Sequence, residues 1–183
     1  DSSDAEKLKF YIENILPLLP DADWRSVKNE FSHIYLAIER YKEALIDVNI
    51  ESRITTAVTC LEALYCNGDN SEISHKLSQR ISFFLRFYGF NPLEIYSEIK
   101  RKAYSIRSGY AHGSVSNKGY EKNKLSEICE NVLNYSRISI VTHLQIYSEL
   151  NLKKCDFINS IDSAMIDENS LQKFTEFLKS IAL

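Results

Sequence analysis

The sequence predicts an all-α fold, a helical bundle of about six to eight helices, and three observations lead to this prediction. Apolar residues recur at the spacing of an amphipathic helix in most segments of the chain. Only five glycines and three prolines occur in 183 residues, which favours long helices over a turn-rich β architecture. No segment alternates apolar and polar residues persistently, as a half-buried strand does.

The first three helices are each predicted from one apolar stripe. They cover about residues 4–16, where two prolines end the helix, then 26–47 and 51–65. The stripes are Leu8, Tyr11, Ile12 and Ile15; Phe31, Ile34, Ile38, Tyr41 and Leu45; and Ile54, Val58, Leu61 and Tyr65. Each set lies on one face of a helix, which we expect to be buried.

The next two helices are predicted from their start and stop residues. Asn70 or Ser71 is expected to cap a helix that runs to about residue 88, with Gly89 in the left-handed position after its end. The residues NPLE at 91–94 then combine an N-cap, a proline at the first helical position and a glutamate at the third. This fifth helix is expected to run into Arg107, and residues 113–119 form a loop.

A long sixth helix is predicted over about residues 121–150, followed by two short ones over 155–165 and 170–181. The segment LQKFTEFL in the last of them is amphipathic and packs either on the bundle or on a partner. We expect one domain over residues 1–183, with its core at about 31–150 and a C-terminal helical extension at 151–183.

Composition excludes several classes of protein. The four cysteines, Cys60, Cys66, Cys129 and Cys155, form no CxxC pair, which argues against a zinc site or a disulfide scaffold and favours a reducing cytoplasm. No apolar run reaches the roughly 18 residues of a membrane span. Neither a carboxylate cluster nor a phosphate-loop motif is present, so we expect no metal and no cofactor. His33, His75 and His143 are scattered and are expected to be structural or to lie on the surface.

Positive charge is concentrated in one segment. Residues 100–124 hold one acid and seven basic residues, which are Lys100, Arg101, Lys102, Arg107, Lys118, Lys122 and Lys124. The segment therefore carries +6 and the rest of the chain −9, within a net charge of −3. Two interpretations are open: a solvated helix end with its loop, or a binding surface for a polyanion such as RNA.

The stretch RSGYAHG at 107–113 lies inside this segment. In a straight helix Arg107 and His112 are about 140° apart and share no face. Either Gly109 ends the helix and the following turn swings His112 back, or the helix continues and Gly113 supplies a left-handed cap. Both geometries place a permanent cation and a titratable imidazole at one helix terminus.

The spacing of Arg107 and His112, R-x4-H, is similar to the signature of the HEPN superfamily. Five blocks occur in the order of its Apea-like branch: AIERYKEAL, RITTAVTCLEALY, SHKLSQRISFFL, YSIRSGYAHG and FINSIDSAMID, together spanning residues 37–167. The resemblance implies an HEPN-like bundle, and a homodimer that joins two motifs in one cleft. It implies a metal-independent endoribonuclease or an RNA-binding module, often in a defence or toxin system.

The resemblance also implies roles for the motif residues. His112 acts as general acid or base, and Arg107 stabilises the phosphate while the RNA 2′-hydroxyl attacks it. Ser108 departs from the pattern, since many active members have Asn, Asp or His there. As a supporting residue it can still hydrogen-bond a phosphate or orient His112, but it supplies no charge. The alternative is an inactive HEPN module that binds RNA, a nucleotide or a protein. Because the chain begins with Asp1, it is expected to be a trimmed product or part of a longer defence or regulatory protein.

Three further residues are candidates for supporting this site. Glu62 lies in an apolar run and is either exposed at its boundary or turned inward, where Arg107 or Arg80 would neutralise it. Arg80 either pairs structurally or lines the cleft. Tyr110 either stacks on a base or packs against the helix end.

Overall fold

The computed structural model describes residues 9, 13, 32–68, 72–113, 120–150 and 152–180. All of its regular structure is helical, which confirms the predicted all-α bundle of six to eight helices. The elements are α1 (Ser32–Ile46), α2 (Ile50–Tyr65), α3 (Ile73–Leu85), a 3₁₀ turn (Arg86–Tyr88), α4 (Pro92–Ser97), a π-helical segment (Glu98–Ala103), α5 (Tyr104–Ala111), α6 (Lys122–Leu150), α7 (Lys154–Ala164) and α8 (Glu168–Ser180).

Helix α2 is the centre of the bundle and packs against α1, α5 and α6. The predicted stripe of Ile54, Val58, Leu61 and Tyr65 is fully buried. A small residue on the same helix, Ala57, allows close approach of α6, and its carbonyl accepts a 3.3 Å hydrogen bond from the Ser136 hydroxyl. The core therefore fixes the position of α2 in the bundle.

The helix that carries Arg107 starts as the sequence predicts. The Asn91 side chain accepts a hydrogen bond from the Leu93 amide at 3.0 Å, Pro92 is the first helical residue, and Gly89 has a positive φ of 83°. Elements α4, the π-helical segment and α5 follow without a break, and we call this continuous helix, 92–111, the rod. It runs past Arg107 to Ala111, and Gly109 lies inside it.

Two of the predicted helices have starts that fall on residues outside the described part of the chain. The helix predicted over 4–16 lies outside the described residues apart from Lys9 and Glu13. Helix α3 begins after Glu72, which has a left-handed φ of 54° and makes no side-chain capping bond. Asn70 and Ser71, the predicted caps, lie outside the described residues.

The C-terminal extension packs on the bundle. Phe157 and Ile161 of α7 and Phe174 and Leu178 of α8 are buried in the same hydrophobic cluster as the core helices. Of the two interpretations of the LQKFTEFL segment, the structure therefore favours packing on the bundle. Among the described helices, none combines the length and the apolar character needed to cross a membrane.

Candidate active site at the end of the rod

The last turn of the rod adopts the second of the two geometries open to the sequence. The helix continues to Ala111, the His112 amide donates to the Ser108 carbonyl at 3.1 Å, and Gly113 follows with a left-handed φ of 64°. Glycine suits this position because it has no Cβ to clash in the left-handed conformation. The cap leaves the His112 side chain exposed to solvent.

Arg107 and His112 are therefore not brought together within one chain. With the helix unbroken between them, their side chains leave its axis about 140° apart. Arg107 turns toward α2, where its Nη2 donates to Glu62 Oε2 at 3.1 Å, and its guanidinium carbon lies 5.5 Å from the centre of the Tyr104 ring. A site that uses both residues on one phosphate needs His112 from another chain.

Glu62 is turned inward, and Arg107 is the partner. The Glu62 side chain is 15% exposed, and its Oε1 has no hydrogen-bond partner among the described residues. Burial raises the pKa of the Glu62 carboxyl, and the charge and hydrogen bond of Arg107 oppose that rise. Within the described part of the chain, Arg107 uses one of its five N–H donors in this hydrogen bond, so most of its donors remain available to a ligand.

Arg80 forms a structural ion pair with Asp162, which is one of the two roles that the sequence left open for it. Its Nε and Nη2 donate to the two carboxylate oxygens of Asp162 at 2.8 and 2.6 Å, and its Nη1 donates to the Tyr65 carbonyl at 2.7 Å. Close by, Lys154 Nζ donates to the Cys66 carbonyl at 2.5 Å. These two cations satisfy carbonyls at the C-terminal end of α2 and attach the extension to it.

The two other supporting residues sit beside the motif. Ser108 is half-buried, and its carbonyl accepts the bond from the His112 amide. Tyr110 is 48% exposed, so its ring is only partly packed. The structure thus places Tyr110 where either of its proposed roles is sterically open.

The basic segment is less positive in three dimensions than in sequence. Lys102 bonds Glu98 at 2.9 Å and Lys124 bonds Glu127 at 2.6 Å. These four side chains influence one another electrostatically and carry no net charge together. Lys102 and Lys124 are therefore weaker candidates for phosphate binding than the sequence implied.

The remaining basic candidates divide by position. Arg101 and Lys122 are exposed, and Lys118 lies outside the described residues. Lys100 is half-buried and contacts Tyr96 and His75, two residues that sequence reasoning did not assign to the site. Tyr96 and Lys100 are four residues apart in the rod, and this helical spacing was the signal available in the sequence.

His143, in contrast, is structural. It is buried against the rings of Tyr65 and Phe157, and burial lowers its pKa to about 3. Within the described residues no three His, Cys, Asp or Glu side chains converge in a way that could hold a metal ion. A cavity of about 310 Å³ is present elsewhere, lined by Leu152 and by residues of α7 and α8 such as Asp156, Lys173 and Phe174.

Comparison with protein-family models, with curated proteins and with solved structures gives no match to this chain. The case for a function therefore rests on the chemistry and geometry of Arg107, His112 and their neighbours.

Proposed function

We propose that the protein is a metal-independent endoribonuclease of the HEPN type, acting as a homodimer. The observation that carries the proposal is the last turn of the rod, where a guanidinium with uncommitted donors and an exposed imidazole lie five residues apart. The reaction is attack of the RNA 2′-hydroxyl on the adjacent phosphorus. It leaves a 2′,3′-cyclic phosphate on one product and a 5′-hydroxyl on the other.

Arg107 supplies electrostatic stabilisation in this scheme. Its side chain is 29% exposed, and Glu62 holds it from one side while its other N–H groups can donate to the non-bridging phosphate oxygens. Because negative charge builds on those oxygens in the transition state, a fixed guanidinium lowers the barrier more than it strengthens ground-state binding.

His112 supplies proton transfer, and the geometry of the rod is the reason for a dimer. Since the two side chains diverge within one chain, we place His112 of one protomer opposite Arg107 of its partner. Two imidazoles in the shared cleft then act as base toward the 2′-hydroxyl and as acid toward the leaving oxygen.

The four cysteines are unpaired, consistent with a protein that works in the reducing cytoplasm.

The test is cleavage of a labelled single-stranded RNA in EDTA, with the product ends analysed chemically. Arg107→Ala and His112→Ala are each expected to lower the rate about 10²- to 10⁴-fold. Lys42→Ala, at an exposed ion pair on α1, is the matched control and leaves the rate unchanged. Full-rate cleavage by both motif variants, or products with 3′-hydroxyl ends, contradicts the proposal.

A second candidate is a catalytically silent module that binds RNA or a protein partner. Two observations favour it: the Arg107–Glu62 ion pair is a stable arrangement without any ligand, and Ser108 adds no charge next to Arg107. Salt dependence separates the two ligand classes, because RNA binding weakens steeply with salt and docking through apolar surfaces does not.

A further inference from the structure

Lys100 is a half-buried cation with an unusual set of neighbours. Its Nζ donates to the Tyr96 hydroxyl at 2.8 Å and lies 3.2 Å from His75 Nδ1, and no carboxylate of the described residues forms a salt bridge with it. By contrast, Lys102, two residues later, pairs with Glu98. The positive charge of Lys100 is thus held in place, and no carboxylate of the described residues neutralises it.

The three side chains form a fixed triangle that joins the rod to α3. The Tyr96 hydroxyl lies 2.8 Å from His75 Nδ1 as well as from Lys100. Because an ammonium only donates, Nδ1 is the acceptor, and the hydroxyl accepts from Lys100 and donates to His75. The rings of His75 and Tyr96 meet edge to face with centroids 6.0 Å apart, which fixes the tyrosine further.

The same face of the rod continues to the candidate active site. Tyr96, Lys100, Tyr104 and Arg107 follow at spacings of four, four and three residues, so each lies about one turn after the one before it, the π-helical segment included. Lys100 lies over the Tyr96 ring at 5.3 Å, and Arg107 over the Tyr104 ring at 5.5 Å. We call these four residues the ladder.

We propose that the ladder binds single-stranded RNA next to the scissile phosphate, an inference that rests on the proposed function. Alternating aromatic rings and cations suit a single strand, whose bases stack and whose phosphates pair with charge. Lys100 and Arg107 are separated by about 10 Å along the helix axis. Arg107 contacts the reacting phosphate, and Lys100 contacts a phosphate on the order of two to three nucleotides away.

Charge around the ladder supports an anionic ligand at the Lys100 end. Glu62 lies at the Arg107 end and offsets that guanidinium, whereas Glu98 is engaged by Lys102 on another face of the rod. At the Lys100 end no carboxylate of the described residues pairs with the ammonium, so a second phosphate there meets a positive charge that these residues do not neutralise.

The experiment measures binding separately from cleavage. A fluorescein-labelled, 2′-O-methyl RNA of about ten nucleotides cannot undergo the 2′-hydroxyl reaction, and its anisotropy reports Kd in EDTA at several salt concentrations. Lys100→Met keeps the length of the side chain and removes its charge. It is expected to weaken binding about tenfold and to reduce the salt slope by about one.

Lys42→Met is the matched control, because it removes the same charge from an exposed ion pair on α1. It is expected to change Kd less than twofold. Equal Kd values for the two variants overturn the ladder, and so does tight binding of a duplex with the same dependence on Lys100. Thermal unfolding of each variant checks that the fold is retained.

The two proposals fail in different ways. If Lys100→Met weakens binding while the natural RNA is not cleaved, the ladder stands and the catalytic proposal falls. If cleavage depends on Arg107 and His112 while binding is indifferent to Lys100, the reverse holds. A wild-type protein that binds neither single-stranded nor duplex RNA overturns the ladder outright.

Discussion

Two arginines from other helices contact the C-terminal half of α2, Arg80 of α3 and Arg107 of the rod, and they are used differently. On the extension side, Arg80 donates three hydrogen bonds and its side chain is 12% exposed. On the rod side, Arg107 donates one hydrogen bond within the described part of the chain, and its side chain is 29% exposed. An arginine whose N–H groups are hydrogen-bonded within the protein stabilises the fold, whereas one with further N–H groups available can bind a ligand.

The residues around Arg80 and Arg107 differ in the same way as the two arginines. The extension side includes His143 among aromatic rings and Lys154 on a carbonyl, and α7 covers it. The rod side has a half-paired carboxylate, Glu62, and an exposed imidazole, His112. We therefore expect changes on the extension side to alter stability, and changes on the rod side to alter activity.

The largest expected effect on stability is the acid sensitivity contributed by His143. Its folded pKa of about 3 lies below the ordinary value of 6.5, and burial is the main cause, with the charges of His33 and Lys154 acting in the same direction. Folding therefore keeps the ring neutral, and this stability is present above pH 6.5 and lost as pH falls toward 3. Each unit between the two pKa values is worth about 1.4 kcal/mol.

Urea unfolding at pH 7.5 and at pH 5 measures this contribution. His143→Phe is expected to flatten the loss of stability between the two pH values, whatever its stability at pH 7.5. His112→Ala, which removes an exposed histidine, is the control and keeps the wild-type dependence. An unchanged pH dependence in His143→Phe contradicts the assignment of His143 to the stabilising side.

The next effect compares the two arginines directly. Arg80→Ala leaves Asp162 and the Tyr65 carbonyl without their donors and is expected to cost about 2–3 kcal/mol, less than a fully buried pair because Asp162 is partly exposed. Arg107→Ala is expected to cost less, about 1–2 kcal/mol, because it removes one hydrogen bond of the described residues where Arg80→Ala removes three, and the Glu62 carboxyl can take up a proton once its partner is gone. If denaturant unfolding shows a larger loss of stability in Arg107→Ala than in Arg80→Ala, the proposed difference between the two arginines is contradicted.

The smallest expected effect on stability comes from Glu62. Burial raises the pKa of its carboxyl, so the folded state binds the proton more tightly, and stability falls as pH rises from the ordinary value through the raised one. Glu62→Gln removes this slope and is expected to change stability at neutral pH by less than about 1 kcal/mol. RNA cleavage is expected to fall less than in Arg107→Ala, because Glu62 positions the arginine and does not touch the substrate.

Local chemistry made some elements of this fold predictable. The start of the rod at residues 91–94 and the left-handed Gly89 depend on neighbouring residues alone, and the structure confirms both. The Arg80–Asp162 pair joins residues 82 positions apart and could not be found in one sequence. Gly109 stays helical because Ile106 and the preceding residues of the rod are packed against the core, which outweighs its low helix propensity.

The candidate site was predicted in part for the same reason. The sequence left Glu62 either exposed or turned inward beside Arg107 or Arg80, since a buried carboxylate needs a cation, and only the structure selects the inward position with Arg107. The net positive charge of the basic segment was overestimated from the sequence. Glu98 and Glu127 lie just outside residues 100–124, and in the structure they form ion pairs with Lys102 and Lys124. The Lys100 triangle depends on His75 of α3, which only the tertiary fold brings to the rod.

Mixing two inactive variants tests the central claim most directly, namely that Arg107 and His112 from different chains act on one phosphate. Arg107→Ala and His112→Ala proteins are unfolded, refolded together and assayed for RNA cleavage in EDTA. Mixed dimers keep one Arg107 opposite one His112 of the partner chain. They regain the guanidinium that the Arg107→Ala protein lacks and one of the two imidazoles that the His112→Ala protein lacks, so the mixture is predicted to cleave at least about tenfold faster than either variant alone. A mixture as inactive as its components, beside an active wild type, contradicts the composite site.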